Sequence, residues 1–158
     1  MEITYYLEGL ELSVENDDFK FLGILSSSVK KMSEGEIIQL KKSKSLDLDE
    51  KTYFKIIKGK TASLFSSCCM MGAISAGSSK EDIEKMKKFG LLVGQAFQLR
   101  DDLFGYLSFD TGKPSLNDFK QAKITLPLIH SLSKVGKTER KKIINDLKNF
   151  KSIDKIID

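Results

Sequence analysis

The hydrophobic and polar positions of this chain follow a helical period over most of its length. Apolar residues recur at steps of three and four from Phe19 to Met32, and Ile37 and Leu40 extend the series past a glycine, which is typical of one long amphipathic helix. A second run begins near Asp49 and closes in small residues, and a third follows Ser79. The pattern therefore predicts three long helices, over about 17–42, 49–77 and 79–107.

The remaining segments are less regular. Residues 1–15 are mixed and weakly patterned, and 108–124 form the only long stretch without a period. Two shorter helices are predicted over about 126–134 and 138–150. No β-type alternation of useful length occurs, so we expect an all-α fold with a single helical domain over residues 1–158.

Two sequence signals mark helix starts. Ser79 with Asp82 three residues later has the form of a capping box. Thr125 precedes Leu126 and Pro127, which is the pattern of an N-cap followed by proline in the first turn. We expect both side chains to bond the exposed backbone groups of the helices that they precede.

Composition narrows the class of protein. Charged residues make up 30% of the 158 residues and the net charge is +4, but the lysines are spread along the chain, so a nucleic-acid interface is not indicated. No run of about 18 apolar residues and no signal peptide is present, which predicts a soluble protein without a membrane span. The adjacent Cys68 and Cys69 are expected to be buried thiols of a reducing cytoplasm. They lack a second Cys/His pair, so a zinc site is not expected.

The segment that carries chemistry lies in the third predicted helix. Gln98 precedes Asp101 by three residues and Asp102 by four, so the three side chains project from overlapping faces. Gly94, one turn earlier, would let another helix or a ligand approach. Two adjacent carboxylates in an apolar helix repel each other and are costly to desolvate. This cost is offset when Mg²⁺ lies between the carboxylates and a polyanion. A solvated Asp-Asp pair at a helix end is the alternative interpretation.

Lysines near this pair favour the metal site. Lys60 lies on the preceding predicted helix, and Lys113 and Lys123 lie in or beside the non-periodic stretch. Carboxylates that bind a metal and lysines that bind phosphate together predict a diphosphate site.

Five ordered segments resemble the trans-polyprenyl diphosphate synthase family. Residues 94–102, Gly-Gln-Ala-Phe-Gln-Leu-Arg-Asp-Asp, are similar to its second aspartate-rich motif. Upstream of this motif, residues 34–40 match the family's Gly-Glu-x-x-Gln segment and residues 59–65 match its Lys-Thr-Ala segment. Downstream, residues 111–118 match its Gly-Lys-Pro and Asn-Asp segment, and residues 123–127 match its Lys-Ile-Thr-Leu-Pro segment. Together they cover about residues 30–130.

The resemblance implies a fold, an activity and a set of roles. The fold would be the helical bundle of isoprenoid synthases, and the reaction a Mg²⁺-dependent head-to-tail condensation of an allylic diphosphate with isopentenyl diphosphate. The implied roles are magnesium contacts for Asp101 and Asp102, phosphate contacts for Lys60, Lys113 and Lys123, and positions beside the allylic carbocation for Thr61 and Gln98.

The chain also departs from the family pattern. Gly105 occupies the fifth position of the second motif, where aspartate is frequent, which implies a weakened third ligand. The first aspartate-rich motif and the isopentenyl diphosphate ligands are absent, so the chain resembles only the C-terminal part of a member. An expressed fragment or truncated gene product is favoured, and a subunit of a heteromer remains open.

The same residues leave other functions open. A catalytically incomplete or non-catalytic helical subunit is the main alternative, although the retained acids and lysines favour an active enzyme. A class I terpene cyclase ranks lower because its Asn/Ser/Glu metal motif is not seen. Met70, Met71, Phe89 and Phe97 are expected in the core, and His130 is assigned no role. We expect a homo-oligomer, such as a homodimer, or pairing with a missing N-terminal half.

Overall fold

The computed structural model is built from helices. It describes residues 2–45, 49–106 and 124–157, with side chains for 7–42, 49–106, 124–147 and 149. Every regular element within these ranges is helical, so the prediction of an all-α fold is confirmed. The segment 107–123, which carries Lys113 and Lys123, lies outside the described residues.

The helices follow the predicted order. In chain order they are α1 (Glu2–Glu15), α2 (Phe19–Ser45), α3 (Glu50–Ile57), a π-helical turn (Lys58–Ala62), α4 (Ser63–Ser75), α5 (Lys80–Phe104), α6 (Leu126–Lys134) and α7 (Lys137–Ile157).

Three features of this order were not predicted. Helix α1 occupies the weakly patterned N-terminal segment, and its Leu7 and Leu12 are more than half exposed. The predicted second helix is divided into α3 and α4 by the π-helical turn. Helix α7 continues to Ile157, beyond the predicted end near residue 150.

The two predicted helix starts have different outcomes. The backbone N–H of Asp82 donates to Ser79 Oγ at 3.2 Å, and that hydroxyl donates to Asp82 Oδ2 at 2.7 Å, so the capping interaction before α5 is confirmed. Thr125 occupies the N-cap position of α6, but its side chain makes no cap hydrogen bond. The prediction of a side-chain cap is wrong because the buried Thr125 hydroxyl donates instead to the Tyr106 hydroxyl at 3.0 Å.

The chain divides into two compact units. Unit 1 comprises residues 1–38 and 55–96, and unit 2 comprises residues 39–54 and 97–158. The single domain predicted over residues 1–158 stays a prediction.

The two units have cores of different character. Unit 1 buries Ile56 and Ile57 together with small residues, which are Ala62, Ala73 and the serines of α4. The Ser66 hydroxyl donates to the Lys87 carbonyl on α5 at 2.9 Å. Small side chains let these helices approach closely. Unit 2 buries a leucine cluster, supported by Tyr106 and isoleucines; the leucines are Leu128, Leu132 and Leu147.

Several side chains predicted to be buried are exposed. Phe89 and Phe97 on α5 are 56% and 52% exposed, so their assignment to the core is wrong for this chain. Cys68 is exposed and Cys69 is half-buried, which overturns the prediction of two buried thiols. Among the described helices, none combines the length and the apolar character needed to cross a membrane.

Candidate active site

Asp102 is the buried polar centre of the candidate site in unit 2. Its side chain projects from α5 one turn after Gln98, and the residue is 2% exposed. The Gln98 amide Nε2 donates to Asp102 Oδ1 at 3.0 Å. The prediction that these side chains share a helix face is confirmed.

Tyr53 on α3 provides the second partner of Asp102. The phenol, 3% exposed, donates to Asp102 Oδ2 at 2.6 Å. Burial raises the pKa of Tyr53 well above its ordinary value, and the hydrogen bond and charge of Asp102 raise it further. The phenol therefore stays protonated at neutral pH, and the buried carboxylate accepts a hydrogen bond on each of its oxygens.

Helical spacing marks Tyr53 only as an apolar position of the second predicted helix. Its partner is 49 residues away along the chain, so helical spacing could not connect the two. The available signal was chemical: a tyrosine on the buried face of a helix must find a partner for its hydroxyl.

Asp101 occupies a different environment. Neighbouring residues on a helix are rotated by about 100°, so Asp101 and Asp102 leave α5 in different directions. Asp101 is half-buried, whereas Asp102 has almost no exposed surface. Beside them, the Arg100 guanidinium stacks 5.0 Å from the centre of the Phe104 ring.

Unit 1 carries the other described candidate residues on the π-helical turn. Lys60 and Thr61 follow Gly59, which meets Gly35 of α2 at close range. A Cβ on Gly35 would lie 2.8 Å from the Lys60 backbone nitrogen, and one on Gly59 would lie 2.8 Å from the Lys31 carbonyl oxygen. Only glycine allows this approach, which joins two of the segments that the sequence singled out. Insertions of π geometry into helices are frequent at functional sites.

The ammonium group of Lys60 pairs with Glu36 of α2. Lys60 Nζ lies 2.6 Å from Glu36 Oε2, and the two side chains are 42% and 45% exposed. Because solvent screens an ion pair that is this exposed, another anion can compete with Glu36 for the Lys60 ammonium group at a low cost in free energy.

Gly94 marks a second close approach within unit 1. A Cβ on Gly94 would lie 2.6 Å from the Cα of the fully buried Ala62, which ends the π-helical turn. The prediction that Gly94 admits a neighbouring element is therefore confirmed, and that element is a helix of the same chain.

A separate cavity of about 730 Å³ lies within unit 1. Its lining has more cations than anions: the charged side chains are Lys20, Lys31, Lys55, Lys58, Lys87, Lys88, Glu34 and Glu84. Neither Lys60 nor Thr61 lines it, so we do not include it in the candidate site.

Comparison with known proteins decides the family. The model of the polyprenyl synthetase family matches residues 3–158, almost the whole chain. The chain belongs to this family. The resemblance inferred from five sequence segments is thereby confirmed, and so is the isoprenoid synthase fold class.

Named relatives agree with this membership. The chain is 32% identical over 145 residues to the geranylgeranyl diphosphate synthase of Saccharolobus solfataricus, covering 90% of this chain and 43% of that protein. It is 31% identical over 157 residues to heptaprenyl diphosphate synthase component 2 of Bacillus subtilis, covering 98% of this chain and 45% of that protein. The chain thus spans less than half the length of these relatives.

A solved structure of a polyprenyl synthase is also similar to this chain. The polyprenyl synthase of Caulobacter crescentus, complexed with calcium and isoprenyl diphosphate, matches with a TM-score of 0.70 and 31% identity. The match covers 91% of this chain and 50% of that one.

The described carboxylates are of the ligand type that a magnesium–diphosphate site uses. Among the described residues no group of three or more histidine, cysteine or acidic side chains could hold a metal ion. Magnesium commonly takes one or two protein carboxylates and completes its shell with substrate phosphates and water. The Asp101–Asp102 pair suits that mode of binding.

Within each unit, the structure places two of the predicted site residues next to each other. Gln98 and Asp102 are hydrogen-bonded in unit 2, and Lys60 and Thr61 are consecutive in unit 1. Lys113 and Lys123 lie outside the described residues, so their phosphate contacts stay predictions.

Proposed function

We propose that this chain supplies the second-aspartate-motif part of a Mg²⁺-dependent prenyltransferase of isoprenoid biosynthesis. The reaction joins an allylic diphosphate head-to-tail to isopentenyl diphosphate. The observation that carries the proposal is the Gln98–Asp101–Asp102 group on α5 of a polyprenyl synthetase family member, with Asp102 buried and hydrogen-bonded on both oxygens.

Each candidate residue has a task in this proposal. The Asp101–Asp102 pair forms the protein side of the magnesium site, and Mg²⁺ supplies charge neutralisation for the diphosphate that it holds. Three lysines bind the phosphate oxygens in this proposal: Lys60, Lys113 and Lys123. Their ammonium groups stabilise the negative charge that develops on the diphosphate as the allylic C–O bond breaks.

Thr61 and Gln98 act at the carbon end of the substrate in this proposal. Their oxygen dipoles face the positive charge that forms when the diphosphate leaves. The double bond of isopentenyl diphosphate then attacks the allylic carbon, a new C–C bond forms, and a proton is lost to restore a double bond. Water must be excluded during these steps because it would capture the cation.

A second candidate function is a helical subunit that completes its site with another chain. The Bacillus relative is named as component 2 of a synthase, which supports this alternative. The retained acids and lysines support a chain that takes part in catalysis once paired. A homo-oligomer, or pairing with an N-terminal half, belongs to the same proposal, as does a cytoplasmic location.

The test of the proposal is product formation by the purified chain. Labelled isopentenyl diphosphate and farnesyl diphosphate are supplied with Mg²⁺, and an Asp101→Ala/Asp102→Ala variant serves as the control. Turnover that the double variant loses supports a working site in this chain.

Binding separates the two candidate functions if turnover is absent. Mg²⁺-dependent binding of farnesyl diphosphate without turnover supports a subunit that needs a partner. Absence of both turnover and binding contradicts the proposed site in the isolated chain.

A further inference from the structure

The cavity of about 730 Å³ within unit 1 has no task in the proposed function. It is lined by α2, the end of α3, the π-helical turn, α4 and α5, but not by Lys60 or Thr61. Its volume lies in the range of about 300–1,000 Å³ that is typical of small-molecule sites. The chemistry of its lining indicates which class of ligand suits it.

The exposed part of the lining is cationic. Six lysines and two glutamates line the cavity, an excess of four positive charges. Lys87 pairs with Glu84, its Nζ lying 3.0 Å from Glu84 Oε1. Within the ranges that the structure describes, the other five lysines are exposed and make no ion pair; these rim lysines are Lys20, Lys31, Lys55, Lys58 and Lys88. Unpaired cations gathered around one cavity favour an anionic ligand.

The less exposed part of the lining, the floor, is mostly apolar. Its half-buried apolar side chains are Ile24, Ile38, Met70 and Leu91. The buried Ser63 and Ser66 hydroxyls donate to the Gly59 and Lys87 carbonyls at 2.6 and 2.9 Å, so these protons are not available to a phosphate group. None of the described lining residues is aromatic, which disfavours a nucleobase that would bind by stacking. The floor therefore suits a hydrocarbon chain.

We propose that this cavity binds an aliphatic phosphate, with the phosphate group held by the rim lysines and the hydrocarbon chain against the floor. A phosphate monoester carries about −1.5 to −2 charges at neutral pH and has three acceptor oxygens, so it can contact several ammonium groups at once. A free alkyl phosphate and a phosphatidic acid headgroup in a membrane both present this chemistry. This binding needs neither Asp101 nor Asp102, so it is independent of the proposed function.

The first experiment measures binding of n-octyl phosphate to the purified chain by calorimetry. The buffer contains no divalent cations, so the proposed magnesium site does not contribute. Inorganic phosphate and n-octanol represent the head and the chain alone. We expect saturable binding of octyl phosphate that is about tenfold or more tighter than that of either, because burial of CH₂ groups and charge contacts both contribute. Absence of saturable binding, or equal affinity for octyl phosphate and inorganic phosphate, would overturn the proposal.

Lysine variants test the location of the phosphate group. Lys31→Gln/Lys88→Gln removes one rim charge from α2 and one from α5. Lys30→Gln/Lys80→Gln makes the same charge change at exposed lysines of the same two helices that do not line the cavity. We expect the first pair to weaken binding of octyl phosphate at least about threefold and the control pair to weaken it less. Equal weakening would show attraction to a basic protein in general and would contradict a site in this cavity.

Glycine variants test the location of the hydrocarbon chain. Gly23 lines the cavity, and a Cβ there would meet nothing within 4 Å, so Gly23→Leu can fill open space without a clash at Cβ. A Cβ at Gly72 also meets nothing within 4 Å, but Gly72 does not line the cavity. Gly23→Leu should weaken binding of octyl phosphate about tenfold, and Gly72→Leu should leave it unchanged, with circular dichroism confirming that both are folded. Unchanged binding in a folded Gly23→Leu variant would refute the location.

Vesicles distinguish the two sources of the ligand. The chain is sedimented with phosphatidylcholine vesicles that contain or lack phosphatidic acid. Retention that requires phosphatidic acid and is reduced in Lys31→Gln/Lys88→Gln supports a membrane headgroup as the ligand. Binding of octyl phosphate without retention on either vesicle supports a free alkyl phosphate. Failure to bind octyl phosphate and both kinds of vesicle would refute the site, whatever the outcome for farnesyl diphosphate with Mg²⁺.

Discussion

The ammonium group of Lys60 lies 2.6 Å from the Glu36 carboxylate. In the proposed site, a diphosphate that binds Lys60 displaces this anion. Both side chains are more than two-fifths exposed, so screening limits the pair to about 0.2–1 kcal/mol. Glu36→Gln removes the competitor and leaves the length of the side chain unchanged. We expect Mg²⁺-dependent binding of farnesyl diphosphate to tighten by about two- to fivefold, measured by calorimetry.

The control for this prediction is Glu34→Gln, which makes the same charge change at another exposed residue of α2. It should alter affinity less than Glu36→Gln, because no ion pair with Lys60 is lost. Weaker binding in Glu36→Gln would contradict the prediction and would mean that Glu36 holds Lys60 in its working position.

Residue contacts were predictable where they were local. The four-residue spacing of Gln98 and Asp102 predicted a shared face, and their hydrogen bond of 3.0 Å confirms it. The Tyr53–Asp102 and Lys60–Glu36 contacts join different helices, and spacing within one helix does not show which other helix will lie beside it. These two contacts could be identified only from the three-dimensional structure.

At the scale of helices, Gly94 controls the approach of α5 to the chain segment that carries Lys60. A Cβ at Gly94 would lie 2.6 Å from the Cα of Ala62, a backbone atom that cannot move away alone. We expect Gly94→Ala to lower the free energy of unfolding by about 1–3 kcal/mol, measured by urea denaturation followed by circular dichroism.

Gly72 on α4 provides the matched control, because a Cβ there would meet nothing within 4 Å. Gly72→Ala should raise the free energy of unfolding by about 0.5–1 kcal/mol, since alanine loses less backbone entropy in a helix. Equal effects of the two substitutions would show that the close approach at Gly94 does not contribute to stability.

Helix existence was predictable from periodicity, but helix geometry was not. The apolar period predicted α2 and α5 within a few residues of their observed ends. It did not show the π-helical turn, where Gly35 and Gly59 bring two helices together. That turn is set by a contact between elements, whereas periodicity reports only on one element at a time.

At the scale of the whole molecule, α5 presents an uncovered apolar surface. Six of its large apolar side chains are at least 38% exposed; they are Met86, Phe89, Leu92, Val93, Phe97 and Leu103. Single exposed apolar residues are ordinary, but a row of them along one helix is typical of a surface that meets another chain. The sequence prediction placed Phe89 and Phe97 in a core because a helical period identifies an apolar face without showing what covers it.

This exposed row predicts association of the isolated chain in solution. Burial of large apolar side chains is favourable by about 1.5–3 kcal/mol each, so contact between several of them can offset part of the cost of bringing two chains together. We expect sedimentation velocity to show species heavier than one chain at micromolar concentration. Phe89→Ser/Phe97→Ser should shift the distribution toward the monomer while the circular dichroism spectrum stays helical.

The control is Phe19→Ser/Leu40→Ser, which removes two exposed apolar side chains from α2 and should shift the distribution less. A single monomeric species in the unsubstituted chain would contradict the prediction and would show that exposure of the α5 row does not drive self-association.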